Sequence, residues 1–377
     1  MKTQLFSPYT LRGVTFDNRI VVSPMVQFSA DNRGNAGDWH MVHFGNLALS
    51  GAGLVFTEAT GVEPRGVVTD HCLGLWSDEN EESFARTMAF CRANSRAKLG
   101  IQLQHSGRKG SVSAPWEKLR EMTPETGGWK VVAPSPLPYP GKADIPEPLS
   151  IEALATLKQN YVDAAKRAER LGYEVLEIHS AHGYLLHQFL SPLSNKREDA
   201  YGGDLEGRMR FPLEVFAAVR EVWPEDRVLG VRISATDWIP GGWDLEQSVT
   251  YSAKLKDLGC DYITASSGGL APEQKITVVP GYQVPFAEAI RRDVGIPTMA
   301  IGLITDPFYA EEILTTGKAD FIAMARGILF NPRWPWLAAH MLGEDESVYY
   351  PPQYERAHPA MQKGDFLKPY REKAAAD

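Results

Sequence analysis

Two imidazoles and a phenol lie close together in the stretch Glu177-Ile-His-Ser-Ala-His-Gly-Tyr184, as His179, His182 and Tyr184. A pair of ring N–H donors can grip one carbonyl oxygen on which negative charge develops, and a phenol beside them can deliver a proton to carbon. This chemistry suits activation of a conjugated carbonyl compound. The same His-x-x-His spacing also occurs at metal sites, but a structural zinc needs further Cys or His at short spacing and a catalytic one a third ligand. No such partner stands nearby. A hydrogen-bonded core role for one of the histidines is the other reading open to these residues.

The apolar run Val175 to Ile178 has strand character and delivers these residues, while Gly183 leaves room for close backbone approach. Around it the chain alternates. Strands are expected over 19–25, 53–58, 98–103, 175–178, 227–234, 261–265, 298–301 and 320–325. Helices are expected over 39–50, 79–96, 151–171, 208–222, 245–258, 284–294, 307–316 and 332–342, with a hairpin around Gly13 ahead of them. Eight βα units without a linker predict an α/β protein, a (β/α)8 TIM barrel. The alternation pauses after the third strand, where residues 110–150 are rich in Pro and Gly and carry Trp116 and Trp129. A loop of that length reads as an ordered cap over a site.

In such a barrel the site lies at the carboxyl ends of the strands. Residues expected just beyond them are Ser23, Pro24, Met25, Ala59, Gln102, His179, His182, Arg232, Ser266 to Gly269, Gly302, Ala325 and Arg326. Gly302 and Arg326 end the last two strands, where this fold commonly seats a phosphate, so a phosphorylated cofactor or substrate is implied.

Composition narrows the partners. The 377 residues carry a formal charge of −8 and no long basic run, which argues against nucleic acid or an anionic membrane as partner and for a small molecule. Cys72, Cys91 and Cys260 are few and widely spaced, so no disulfide framework is suggested. The amino terminus lacks an apolar signal core, and no run approaches the ~18 apolar residues of a membrane span. A cytoplasmic protein is expected.

The chain resembles the Old Yellow Enzyme family of FMN-dependent ene-reductases, most of all its bacterial xenobiotic-reductase and thermophilic-type branch. The motifs are Asn18-Arg-Ile, Ser23-Pro-Met, Gly100-Ile-Gln-Leu, His105-Ser-Gly-Arg-Lys, Glu177-Ile-His-Ser-Ala-His-Gly-Tyr-Leu, Ser194-Asn-Lys-Arg and Tyr201-Gly-Gly. The resemblance implies one FMN-binding barrel over 1–345 and a tail over 346–377. It implies Ser23, Pro24, Met25 and Ala59 along the flavin, Gln102 on its pyrimidine edge and Arg232 near N1 and O2. Ser267, Gly268, Gly302, Ala325 and Arg326 would hold the phosphate, with Ala325 where the family often has Gly. His179 and His182 would bind the substrate oxygen, reduced FMN would give hydride to the β-carbon, Tyr184 would protonate the α-carbon, and NADPH or NADH would reload the flavin.

Two positions depart from that branch. Where it usually has a Cys that tunes the flavin and a Tyr that reaches the substrate, this chain has Val26 and Phe28. Neither can make the lost hydrogen bond, although the apolar volume stays. A desaturating dehydrogenase or an oxidase on a saturated carbonyl or amine is therefore an alternative, and a flavin-free phosphate-binding barrel a remoter one. Gln353-Tyr-Glu-Arg356 resembles the tail that inserts an arginine into a neighbouring subunit's site, which implies a homodimer or homotetramer with Arg356 in the partner's pocket.

Overall fold

The computed structural model describes residues 3–361 with Leu367, Lys368 and Glu372. The hairpin around Gly13 is β1 (Tyr9–Leu11) and β2 (Val14–Phe16). Its Leu11, Val14 and Phe16 pack with Val21, Leu54, Val175, Val228 and Phe321 near the strand starts, closing the amino-terminal end of the barrel. The wall begins with β3 (Ile20–Val22), α1 (Asp38–Ala48), β4 (Leu54–Gly61), α2 (Asp78–Asn94) and β5 (Lys98–Gln104). Two short strands, β6 (Val132–Ala133) and β7 (Glu147–Pro148), lie outside it. There follow α3 (Ile151–Arg170), β8 (Val175–Ser180), α4 (Leu185–Leu190), α5 (Leu205–Val222), β9 (Val228–Ser234), α6 (Leu245–Asp257) and β10 (Tyr262–Ser266). The chain continues through α7 (Val284–Val294), β11 (Thr298–Ala300), α8 (Pro307–Thr315), β12 (Phe321–Met324), α9 (Arg326–Phe330) and α10 (Trp334–Leu342). Strands β3, β4, β5, β8, β9, β10, β11 and β12 pair in that order, all in parallel, and β12 returns to β3. The barrel is closed as expected.

Local chemistry explains the helices. Ser150, Asp204, Asp244 and Asp306 each accept a hydrogen bond from a backbone N–H in the first turn of α3, α5, α6 and α8. In α3, Leu154, Leu157, Tyr161, Ala164, Ala165 and Ala168 are buried at helical spacing, so one face lies on the barrel.

The register corrects some placements. Strand β3 stops at Val22, short of the stretch expected over 19–25, so Ser23, Pro24 and Met25 lie beyond it. Ala59 sits inside β4, which outruns the expected 53–58, and Gln102 and Arg232 sit inside β5 and β9, within the strands expected over 98–103 and 227–234 and not just after them. Strand β4 runs on to Gly61 through a register shift between Phe56 and Ala59, an irregularity that periodicity does not reveal. Helices α4 and α9 were also not foreseen, being shorter than a sequence window resolves.

The 110–150 segment is ordered by its own contacts. The Glu121 carboxylate accepts the N–H groups of Ala143 and Asp144 at 2.9 and 2.8 Å. Trp129 donates its indole N–H to the Arg65 carbonyl at 3.2 Å. Trp116 leaves 67% of its surface exposed yet sets its ring edge-on to Phe28, with centroids 6.0 Å apart. Cys72, Cys91 and Cys260 are buried. Among the described residues no helix is long and apolar enough to cross a membrane, and no cluster of His, Cys, Asp and Glu could hold a metal ion.

Candidate active site

His179 is buried within the end of β8, and the chain then turns so that His182 takes a left-handed φ of 56° followed by Gly183 at 71°. The turn packs against the loop after β10 backbone to backbone. A β-carbon on Gly183 would stand 2.3 Å from the Gly269 carbonyl oxygen, so only glycine fits there. Lys109 fastens the two loops together, donating to the carbonyls of His182 at 2.8 Å and Gly269 at 2.9 Å.

The imidazoles form a directed chain. The Ala181 N–H donates to His179 Nδ1 at 3.2 Å, which leaves the His179 proton on Nε2. That nitrogen lies 3.2 Å from His182 Nδ1, and His182 Nε2 lies 2.7 Å from Ser266 Oγ. The N–H of His179 therefore points to His182 and that of His182 to Ser266. Each neutral ring has a single N–H, and here the two are arranged in series. Burial, followed by the charge of Arg232, holds both histidines well below the usual imidazole range. They are neutral donors at neutral pH. Tyr184 packs on His179 with ring centroids 4.9 Å apart, and burial pushes its phenol above the ordinary range, so it keeps its proton.

Below them lies a buried charged layer. Glu177 accepts from Gln102 Nε2 and from Thr264 Oγ1, both at 2.6 Å. Burial raises its carboxyl, and Arg232 is the first group opposing that rise. Arg232 is buried too, with its Nε lacking a hydrogen-bond partner, and Ser23 Oγ is in the same position. Two buried polar groups without a protein partner imply a ligand, since such groups are costly to leave unmet. Beside them a cavity of about 370 Å³ runs over the last strands, lined among others by His182, Arg232, Ser267, Gly302, Ala325 and Arg326. Gly302 has φ 131°, and a β-carbon there would come within 3.2 Å of the Tyr282 ring. A cationic guanidinium suits an anionic reduced flavin edge, and Arg326 beside an open backbone suits a phosphate. The donor set fits FMN, and with it the class of flavin-dependent oxidoreductase barrels.

The remaining expected residues divide. Gly268 has φ 70° and accepts from Ser234 Oγ at 2.8 Å. It shapes the loop after β10 and does not line the cavity. Met25, Val26 and Phe28 follow β3, and Val26, Phe28 and Tyr184 all pack on the apolar group Val67, Val68, Cys72 and Val112. Arg356 is exposed in a short 3₁₀ stretch (Pro352–Ala357) and does not line the cavity of its own chain. Lys109 and Glu177 were quoted in motifs without a role, and Ser266 was gathered only by position. Lys109 and Ser266 draw their importance from contacts to residues 73 and 84 positions away, which a linear reading cannot see.

Comparison with known proteins gives the family. The model described as NADH:flavin oxidoreductase / NADH oxidase family matches residues 4–345. The NADPH dehydrogenase of Geobacillus thermodenitrificans is 44% identical over 357 residues, covering 94% of this chain and 99% of that protein. That of Listeria innocua is 43% identical over 356 residues, with coverage of 94% and 99%. Among solved structures, morphinone reductase superposes with a TM-score of 0.74 at 27% identity, covering 91% of this chain and 90% of its own. The chain belongs to the NADH:flavin oxidoreductase / NADH oxidase family, that of Old Yellow Enzyme, and is an FMN-dependent oxidoreductase drawing on NAD(P)H. Membership removes the flavin-free barrel from the readings above.

Proposed function

We propose that the enzyme reduces the activated C=C bond of α,β-unsaturated carbonyl compounds, with NADPH as reductant, in the cytoplasm and as a homo-oligomer. The observation that carries this reading is the pair of neutral imidazoles, His179 buried and His182 facing the cavity, beside a protonated phenol and a buried arginine. When bound, FMN would supply the hydride chemistry, linking oxidation of the nicotinamide to hydride addition at the β-carbon. A substrate carbonyl oxygen entering between His179 and His182 would replace the bond between their rings and accept the His179 Nε2–H, and it gains a second donor when the His182 proton passes from Nε2, beside Ser266, to the Nδ1 that faces His179. These donors stabilise the charge that grows on oxygen as the β-carbon gains hydride. Tyr184, partly buried against Val67, Val68, Cys72 and Val112, donates its phenolic proton to the α-carbon. Arg232, backed by Glu177, would meet the flavin edge; Ser23, Pro24, Met25, Ala59 and Gln102 would lie along the ring, and Ser267, Gly302, Ala325 and Arg326 would hold the phosphate, with Gly268 shaping the loop that carries Ser267. NADPH as reductant follows the naming of the relatives. The FMN barrel would comprise residues 1–345 and the tail 346–377, both of which run partly outside the described residues, and Arg356 of that tail would reach a neighbouring subunit.

The test is anaerobic stopped-flow spectroscopy. NADPH should bleach the bound flavin and 2-cyclohexenone should restore its colour in a separate second step. Restoration only by oxygen would overturn the substrate class. Val26 and Phe28 favour one second reading, desaturation of a saturated carbonyl. That reading requires cyclohexanone or a related ketone to bleach the oxidised enzyme without NADPH.

A further inference from the structure

The turn that carries His182 and Tyr184 is held in an unusual way. All four backbone polar groups of His182 and Gly183 are met by side chains. Ser234 Oγ accepts the His182 N–H at 2.9 Å and Lys109 donates to its carbonyl. Gln188 Nε2 donates to the Gly183 carbonyl at 2.7 Å, and His187 Nδ1 accepts the Gly183 N–H at 2.8 Å. Two successive left-handed residues, one with a β-carbon, do not persist without such restraint.

His187 differs from the other three in depending on its tautomer. To accept from Gly183 its Nδ1 must be bare, so its proton sits on Nε2, which lies 2.9 Å from Asp237 Oδ1, a close charge contact that falls short of hydrogen-bond geometry. Both side chains are fully buried. Asp237 belongs to the loop after β9, where its other oxygen accepts from Ser191 Oγ and from the Trp243 N–H, each at 2.7 Å. The Trp243 amide can only donate, so the orientation of this carboxylate is set. Neither residue lines the cavity over the last strands, and the reaction outlined above uses neither.

We propose that the buried Asp237–His187 pair is a positioning device for the substrate-activating turn: the carboxylate selects the tautomer of His187, the imidazole fixes the Gly183 amide, and the loop after β9 thereby sets the directions of His182 and Tyr184. This inference rests on the ene-reductase reading. It makes the two residues positioning residues, since neither touches substrate or flavin.

Asp237→Asn provides a nearly isosteric test. With its amide oxygen kept on the Trp243 N–H, the new NH2 faces His187 Nε2, drives the imidazole proton to Nδ1, and sets N–H against N–H at Gly183. His187→Asn and His187→Gln divide the linkage, because an Asn oxygen stands near the Nδ1 position and can still accept from Gly183, whereas a Gln amide reaches toward Asp237 and abandons Gly183. The measurements are made on FMN-loaded enzyme: the Kd of a para-substituted phenol from the flavin spectrum, the rate of reoxidation by 2-cyclohexenone, FMN content and melting temperature. Asp237→Asn should bind FMN normally, yet weaken phenol binding and slow reoxidation by about tenfold or more. His187→Asn should retain more of both than His187→Gln. A folded, loaded Asp237→Asn enzyme with unchanged phenol affinity and reoxidation overturns the proposal, as does His187→Gln matching or exceeding His187→Asn. If Asp237→Asn does not fold, the order of the two His187 variants still decides. Failure of the wild type itself to bind phenols or to be reoxidised by enones would bring down the ene-reductase reading, a result distinct from wild-type activity with insensitive variants.

Discussion

The two sides of the barrel mouth are built on different principles. On one side His179, Arg232 and Ser266 stand on β8, β9 and β10, all buried, with His179 and Ser266 joined through His182 in one hydrogen-bonded line. On the other, Val26, Phe28 and Trp116 come from the loops after β3 and β5 and meet through apolar packing. Phe28 holds a left-handed φ of 52° and Trp116 presents its ring largely to solvent. Directional bonds on rigid strands suit groups that must meet developing charge within tenths of an ångström; loops and aromatic faces suit the sorting of substrates by bulk. The contrast assigns rate to the strand side and selectivity to the loop side.

The sharpest way to break it is to remove a donor. His179→Ala or His182→Ala should slow flavin reoxidation by an enone by roughly 10²–10³, with a smaller loss in reduction by NADPH. Equal rates in the double variant, measured by stopped-flow, would return the pair to a structural role.

A smaller effect is expected from restoring polarity on the loop side. Val26→Cys with Phe28→Tyr keeps the volume nearly constant, so the packing cost should stay within about 1–2 kcal/mol while the flavin potential shifts and cyclohexenone turnover rises. Unaltered potential and kinetics, by spectroelectrochemistry and steady-state assay, would move selectivity to the 110–150 segment alone. Trp116→Ala removes only an edge-on aromatic contact, worth about 0.5–1.5 kcal/mol. It should change kcat/KM for a bulky aryl enone severalfold and that for cyclohexenone hardly at all; an equal loss for both would blur the contrast.

The gentlest probe is pH. Because His179 and His182 titrate below their unfolded value of about 6.5, the unfolded chain takes up protons in acid that the folded chain refuses. Their contribution to stability is complete above that value and declines as pH falls through it. Melting temperatures between pH 5 and 8 should therefore drop less steeply in a His179→Asn, His182→Asn double variant than in the wild type.

Much of this was legible in the sequence, for reasons that differ by residue. The barrel follows from strand and helix periods that recur along the chain, and His179, His182 and Tyr184 share one short motif. Their proximity is local, so a linear reading catches it. Asp237 escaped because nothing near it in sequence marks it; its role exists only once the loop after β9 lies beside α4. The serial arrangement of the two imidazoles also escaped, because it depends on the Ala181 amide settling which nitrogen of His179 carries the proton. Ala59 lay beyond its expected strand, and Gln102 and Arg232 inside theirs, yet all three were grouped with the residues after the strands, since an inward-facing residue near a strand end cannot be told from the first loop residue by hydrophobicity alone.

The burial of the cysteines has a bearing on how long such a catalyst lasts. Conjugated carbonyl compounds alkylate thiolates, and an enzyme that gathers them beside its flavin works within reach of its own poison. Here burial pushes the thiols of Cys72 and Cys91 up to about 11 and that of Cys260 higher still, so none is ionised at neutral pH. With Val26 after Met25, the described residues offer an enone no ionised thiol. The cysteines should outlast many turnovers on compounds that would cap a more exposed thiol, and mass spectrometry after prolonged incubation with excess 2-cyclohexenone should find all three unmodified.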